Sequence, residues 1–121
     1  MFQLTDRFQF WYPVTVRVPS PEKTGAMDEQ TFEVLFEAMS AADSRKMDEE
    51  RAAAEPSKRS IFEHDFLRRV VKDWKNVCDA EKKHLSFSAE RLDQALQFPW
   101  ARSALFIAYS KACAGEAAAG N

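Results

Sequence analysis

The apolar positions of this chain change their period along its length, and each change marks an element. From Phe8 to Val18 the period is two: Phe8, Phe10, Tyr12, Val14, Val16 and Val18 share one parity, the pattern of a strand with one buried face. Pro13 interrupts the run on the opposite parity, together with Trp11. Proline has no backbone N–H to give to a ladder, so this strand is expected at a sheet edge or a bulge, with Trp11 and Pro13 facing away from the apolar set. "PSPEKTGAMDEQ" follows as a loose connection. Phe32, Val34 and Phe36 then alternate with Glu33, Leu35 and Glu37, which predicts the second strand of a hairpin over "TFEVLFEAM". Two strands alone are marginal in water, so helices are expected to cover their shared apolar face.

The period then lengthens. Ser40 to Ala54 is rich in helix formers but has no sustained stripe, only Met47 and scattered alanines, and reads as an exposed helix or a frayed linker ended by Glu55 and Pro56. "SIFEHDFLRRVVKDW" has the strongest helical pattern: Phe62, Phe66, Val70 and Trp74 recur every four residues beside Leu67 and Val71, and Ser60 with Glu63 forms a capping box. "KNVCDAEKKHLSF" breaks that pattern with a short, charged, hairpin-like excursion. Ser88 is expected to cap the next helix, with Leu92, Ala95 and Leu96 inward; Pro99 suits the first position of the last helix, and Gly115 its end. The expected architecture is α+β, an N-terminal antiparallel β-hairpin packed against three to four α-helices. A single domain spans residues 1–114, with 40–60 a charged helix or linker insertion and 115–121 a flexible tail.

A length of 121 residues suits one domain, and 45% hydrophobic with 30% charged residues excludes general disorder. No apolar run approaches the roughly 20 residues of a membrane span, and Asp6 and Arg7 stand where a signal peptide needs its apolar segment. A cytosolic protein without membrane contact is therefore expected. The net charge is -2 and no block of Lys and Arg lacks nearby acids, which disfavours nucleic-acid binding. Cys78 and Cys113 form no C-x-x-C and are expected as small buried side chains.

Candidate chemistry is sparse. His64 and His84 with Cys78 and Cys113 lack the paired spacing of a zinc site. A calcium loop running from Asp79 to Glu90 fails at Lys83 in its fifth position and at His84 in place of the turn glycine. The chain has no G-x-S-x-G, no Walker loop and no G-x-G-x-x-G. Asp73 stands beside the large apolar Trp74, and it is expected to be solvated at a helix end. Neither catalysis nor a cofactor nor a metal is expected. On the last helix Ala101, Leu105, Ala108 and Ala112 make one stripe, whereas Trp100 and Ile107 lie near the other side with Lys111. Trp100, Ile107 and Trp11 are thus candidate partner-binding residues, unless a second layer of the domain or the Met47 helix covers them.

In order, "PVTVRVP", a loop with Gly25, "TFEVLFEAM", "FLRRVVKDWKNV", "LSFSAERLDQAL", "PWARSALFIAYSKACAG" and an ending in "GN" cover most of the chain. This succession resembles the tail assembly chaperones of long-tailed bacteriophages, often carried as prophage genes; the Ser40 to Ser60 stretch matches none of its pieces. The resemblance implies a protein of the bacterial cytosol that binds the tape measure protein while tube subunits polymerise, and that is absent from the finished virion. It also implies a longer form, made by a ribosomal slip, whose extra domain recruits the tail tube protein. Gly120 and Asn121 are compatible with the slippery heptamer G GGA AAC. Self-association is left open. The alternative is a helix-turn-helix regulator built from "SAERLDQALQFPWARSALFIAY", against which stands a recognition helix with only Arg102 and Lys111 as basic residues.

Overall fold

Strict alternation produces the hairpin. In a computed structural model that describes residues 1–118, Arg59 by its backbone only, β1 (Gln9–Pro19) and β2 (Met27–Glu37) pair antiparallel from Gln9 opposite Glu37 to Pro19 opposite Met27. The second strand starts four residues earlier than the sequence pattern predicts, because Met27 to Gln30 continue the ladder with Val16 to Pro19. The loop shrinks to a turn in which the Ser20 hydroxyl accepts from the Lys23 N–H at 3.1 Å and Gly25 takes a positive φ of 76°. The strand order is β1-β2-β3, so β1 lies at an edge, where Pro13 breaks no ladder on its free side.

The hydrophobic period does not predict the third strand. The predicted helix to Trp74 stops at Val70, and the chain continues directly as β3 (Val71–Lys75), antiparallel to β2. The register shifts at Leu35/Phe36: Val34 faces Trp74, Leu35 faces Asp73 and Phe36 faces Val71, leaving Lys72 as the extra residue of a bulge. That bulge puts Val71 and Trp74, three residues apart, on one face. A spacing of three is also helical, which is why the sequence pattern reads straight through the boundary. Trp74 is buried as expected, but from a strand; its indole N–H donates to the Leu85 carbonyl at 2.9 Å. Asp73 sits mid-strand and half-buried, accepting the Trp74 backbone N–H at 2.8 Å, rather than at a helix end.

Four α-helices follow the hairpin: α1 (Ala41–Ala53), α2 (Arg59–Val70) ahead of β3, then α3 (Ala89–Leu96) and α4 (Pro99–Cys113). The stretch left open as helix or linker is thus helix α1, started by Ser40, whose hydroxyl accepts from the Asp43 N–H. The Ser60 capping box does not form. Pro56–Lys58 make a 3-10 turn that runs into α2, so Ser60 is already inside the helix and Lys58, with helical backbone, is its uncapped start. Ser88 caps α3 as expected and Pro99 opens α4. At the far end Glu116 N–H reaches the Lys111 carbonyl and Gly115 N–H that of Ala112, with Gly115 at φ 84°, a Schellman closure. The excursion before α3 is a small hairpin closed by a Cys78–His84 bridge.

The fold is α+β, in two layers. Val14, Val16, Val34, Phe36, Val71 and Trp74 of the sheet bury against Leu67 and Val70 of α2, Leu92 and Leu96 of α3, and Leu105, Ala108 and Tyr109 of α4. Each fully buried valine, leucine or phenylalanine among them contributes on the order of 1.5 to 3 kcal/mol, opposed by conformational entropy. The other sheet face stays open, with Trp11, Thr15, Arg17, Thr31 and Glu33 exposed. Both cysteines are exposed, contrary to the sequence expectation: Cys78 belongs to the outlying hairpin and Cys113 to the last turn of α4. No helix among the described residues is long and apolar enough to cross a membrane. Of the expected tail, 119–121 lie outside the described residues, and Gly120 and Asn121 with them.

Candidate functional site

The helical layer does not close on itself. Between α1, α2 and α4 lies a cleft of about 600 Å³. Its apolar surface comes from Met47 of α1, Phe62, Phe66 and Leu67 of α2, and Phe106 and Tyr109 of α4; Asp48, Arg51, Glu63 and Arg102 supply charge around it. Aromatic packing fixes the floor. The Tyr109 ring meets Phe36 edge-on at 5.6 Å and Phe66 at 5.3 Å, and Phe66 meets Phe106 at 5.8 Å. The Tyr109 hydroxyl accepts the Met39 backbone N–H at 3.0 Å, tying the floor to the segment that leads into α1. Burial pushes the Tyr109 phenol above its ordinary pKa, so it stays neutral throughout the physiological range.

α1 forms a wall of this cleft with little hold on the body. It has no buried residue. Its ion pair, Arg69 to Asp43 at 2.7 Å, joins two half-exposed side chains, an arrangement worth roughly 0 to 1 kcal/mol. Beyond it Met47 is the helix's only large apolar side chain.

The three residues proposed from sequence lie in different surroundings. Trp11 is on the open sheet face, 39% exposed, with the Lys75 ammonium 4.0 Å from its ring centroid. Ile107 is 53% exposed on α4. Trp100 is half-buried: it packs against the core and stacks on Phe98 at 5.1 Å, so it does not share the free surface of Ile107. The fold gathers none of the three into the cleft. What it brings there instead is Phe106, 54% exposed and adjacent to Ile107, which the sequence reading passed over. The signal was present in α4, where Trp100, Leu105, Phe106, Ile107 and Tyr109 surround the helix axis more widely than one contact face requires.

The polar groups outside the cleft make structural connections. Glu37 accepts from Gln9 and from both Nε and Nη2 of Arg7, which, with the Gln9 hydrogen bond first, holds its carboxyl below the usual carboxylate value. Arg68 bridges Asp93 of α3, at 2.5 Å, and Asp65 of its own helix. No group of three or more His, Cys, Asp or Glu side chains with metal-holding geometry occurs among the described residues. The arrangement offers recognition of an apolar partner surface by shape and burial. Comparison with protein-family models, with curated proteins and with solved structures finds no match to this chain.

Proposed function

We propose that this protein is a non-enzymatic assembly chaperone of a long-tailed bacteriophage, which binds the tape measure protein in the bacterial cytosol and is left out of the mature virion. The succession of sequence pieces supports the family reading, and one structural observation supports the mode of action. A domain of this size leaves an aromatic cleft open beside the exposed Phe106 and Ile107, flanked by charges that keep it in solution. Long, largely helical clients dock by laying an apolar stripe into such a groove. Recruitment of the tail tube protein belongs to a frameshifted longer form, which the gene's codons at Gly120 and Asn121 and the frame downstream of them test directly.

The regulator reading draws less support. The Arg102 guanidinium, one of two basic groups on the would-be recognition helix, donates to the Leu96 carbonyl at 2.7 Å, and α4 lies against β1.

The test is co-expression with the long coiled-coil gene of the same neighbourhood, followed by affinity capture. The intact protein is expected to retain the tape measure protein, and Phe106→Glu to reduce capture about tenfold or more, the loss of one interface anchor, with its circular dichroism unchanged. Equal capture by intact and Phe106→Glu proteins would remove the cleft from the mechanism; no capture by either would remove the client.

A further inference from the structure

α1 occupies a place that it fills badly. The positions with which it lines the cleft are Ser44, Met47, Asp48 and Arg51, spaced along one side of the helix, and only one of these four is apolar. Opposite stand Phe62, Phe66, Phe106 and Tyr109, and the space between amounts to about 600 Å³, a volume typical of ligand sites. A helix chosen to complete this core would carry leucine or phenylalanine where Ser44 and Asp48 stand. α1 is instead polar on all sides, the composition of a helix that gains little from packing. Extended residues bound it, Ser40 at ψ 156° and Ala54 at ψ 157°, so it can swing without unwinding either neighbour.

We infer that α1 is an internal stand-in for the partner, a displaceable helix holding the seat of an amphipathic partner helix that packs better. The inference rests on the reading of the cleft as a client site and names the client's chemistry. The partner presents apolar side chains at three positions spaced i, i+3 and i+4, matching Ser44, Met47 and Asp48. It places a carboxylate one residue ahead of the first, where Asp43 meets Arg69 at 2.7 Å. Because α1 contributes nothing to the buried core, its release leaves the sheet and α2, α3 and α4 in place. The apparent affinity for a partner is then set by the fraction of molecules with α1 released.

The test uses the full chain and a defined probe: the Ala41–Ala53 segment as a fluorescent peptide bearing Ser44→Leu and Asp48→Leu, held helical by a hydrocarbon staple on its outward face. Three proteins are compared: the intact chain, a chain with 41–53 replaced by glycine and serine, and a chain carrying Ser44→Leu and Asp48→Leu in place. The replaced chain is expected to bind the probe at least about tenfold more tightly than the intact chain, and the leucine-filled chain more weakly than either. Equal binding by all three, or no binding by a folded replaced chain, overturns the inference. If the replaced chain does not fold, amide exchange of the intact protein decides. Exchange in Glu49–Ala53 about a hundredfold or more faster than in Leu92–Leu96 upholds a releasable α1, and equal protection refutes it. Probe binding without capture of the tape measure protein keeps the seat and removes the client; capture with α1 still protected removes the seat alone.

Discussion

α1 and α3 start alike and end in opposite situations. Each follows a serine in extended backbone, Ser40 at ψ 156° and Ser88 at ψ 157°, whose hydroxyl accepts the N–H three residues on. Yet α3 drives Leu92 and Leu96 into the core at 2% and 0% exposure, while α1 buries nothing. A cap decides where a helix begins; the apolar stripe decides whether the protein holds it. The firmly held helix belongs to the scaffold, and the loosely held one borders the aromatic cleft.

The sharpest way to break this comparison is to truncate one inward side chain on each helix. Leu96→Ala removes a side chain with no solvent exposure and is expected to cost about 2 to 5 kcal/mol, the range for a large-to-small change in a packed core. Met47→Ala, on a half-exposed helix, is expected to cost below about 1 kcal/mol. Urea denaturation with a common slope measures both. A Met47 effect as large as that of Leu96 would make α1 part of the scaffold after all.

The same contrast marks what the sequence could disclose. The hairpin is legible because a single buried sheet face imposes strict alternation, and Pro13 narrows the strand to an edge or a bulge because a missing N–H tolerates few places; the strand order makes it the edge. Ser88, Pro99 and Gly115 were legible because caps act through neighbours a few residues away. β3 was not, since its bulge gives Val71 and Trp74 the spacing that a helix also gives. Ser60 has the spacing of a cap but does not act as one, because Pro56 starts a 3-10 turn upstream of it. The cleft was legible only in pieces: Phe62 and Phe66 are plainly inward-facing by period, but which side of them stays uncovered depends on how α1, α2 and α4 pack. Trp100 shows the same limit, for the Phe98 ring stacked on it lies outside the periodic part of its helix.

A finer comparison removes the two caps. Ser88→Ala is expected to lower global stability by about 1 kcal/mol, because α3 unfolds only with the core. Ser40→Ala removes a bond of the same kind, 3.2 Å against 3.1 Å, but is expected to move the urea midpoint by less than about 0.5 kcal/mol equivalent. Its effect should appear locally, as faster amide exchange through α1. Equal global losses would mean that α1 is coupled to the core as tightly as α3.

The smallest effect concerns the root of α1. Glu37 closes β2 four residues before that helix begins, and its carboxylate gathers Gln9 at 3.1 Å and Arg7 at 2.9 and 3.0 Å, with Lys72 at 3.9 Å. These partners, Gln9 foremost, lower its pKa from the ordinary 4.5. A depressed carboxylate favours the folded state fully above that value. As pH falls below it, the unfolded chain takes up the proton first, and the contribution fades until the folded form is protonated as well. Acidification from about pH 5 to pH 3 is therefore expected to lower amide protection, measured against the intrinsic exchange rate at each pH, at Ala38 and through α1 before it lowers that of α3, and Glu37→Gln to flatten that pH dependence. Since Ala38 donates to the Phe8 carbonyl at 3.0 Å, its amide reports directly on whether the hairpin end that launches α1 has opened. If α1 and α3 lost protection together, the root would be coupled to the whole fold, and the looseness of α1 would have to come from its stripe alone.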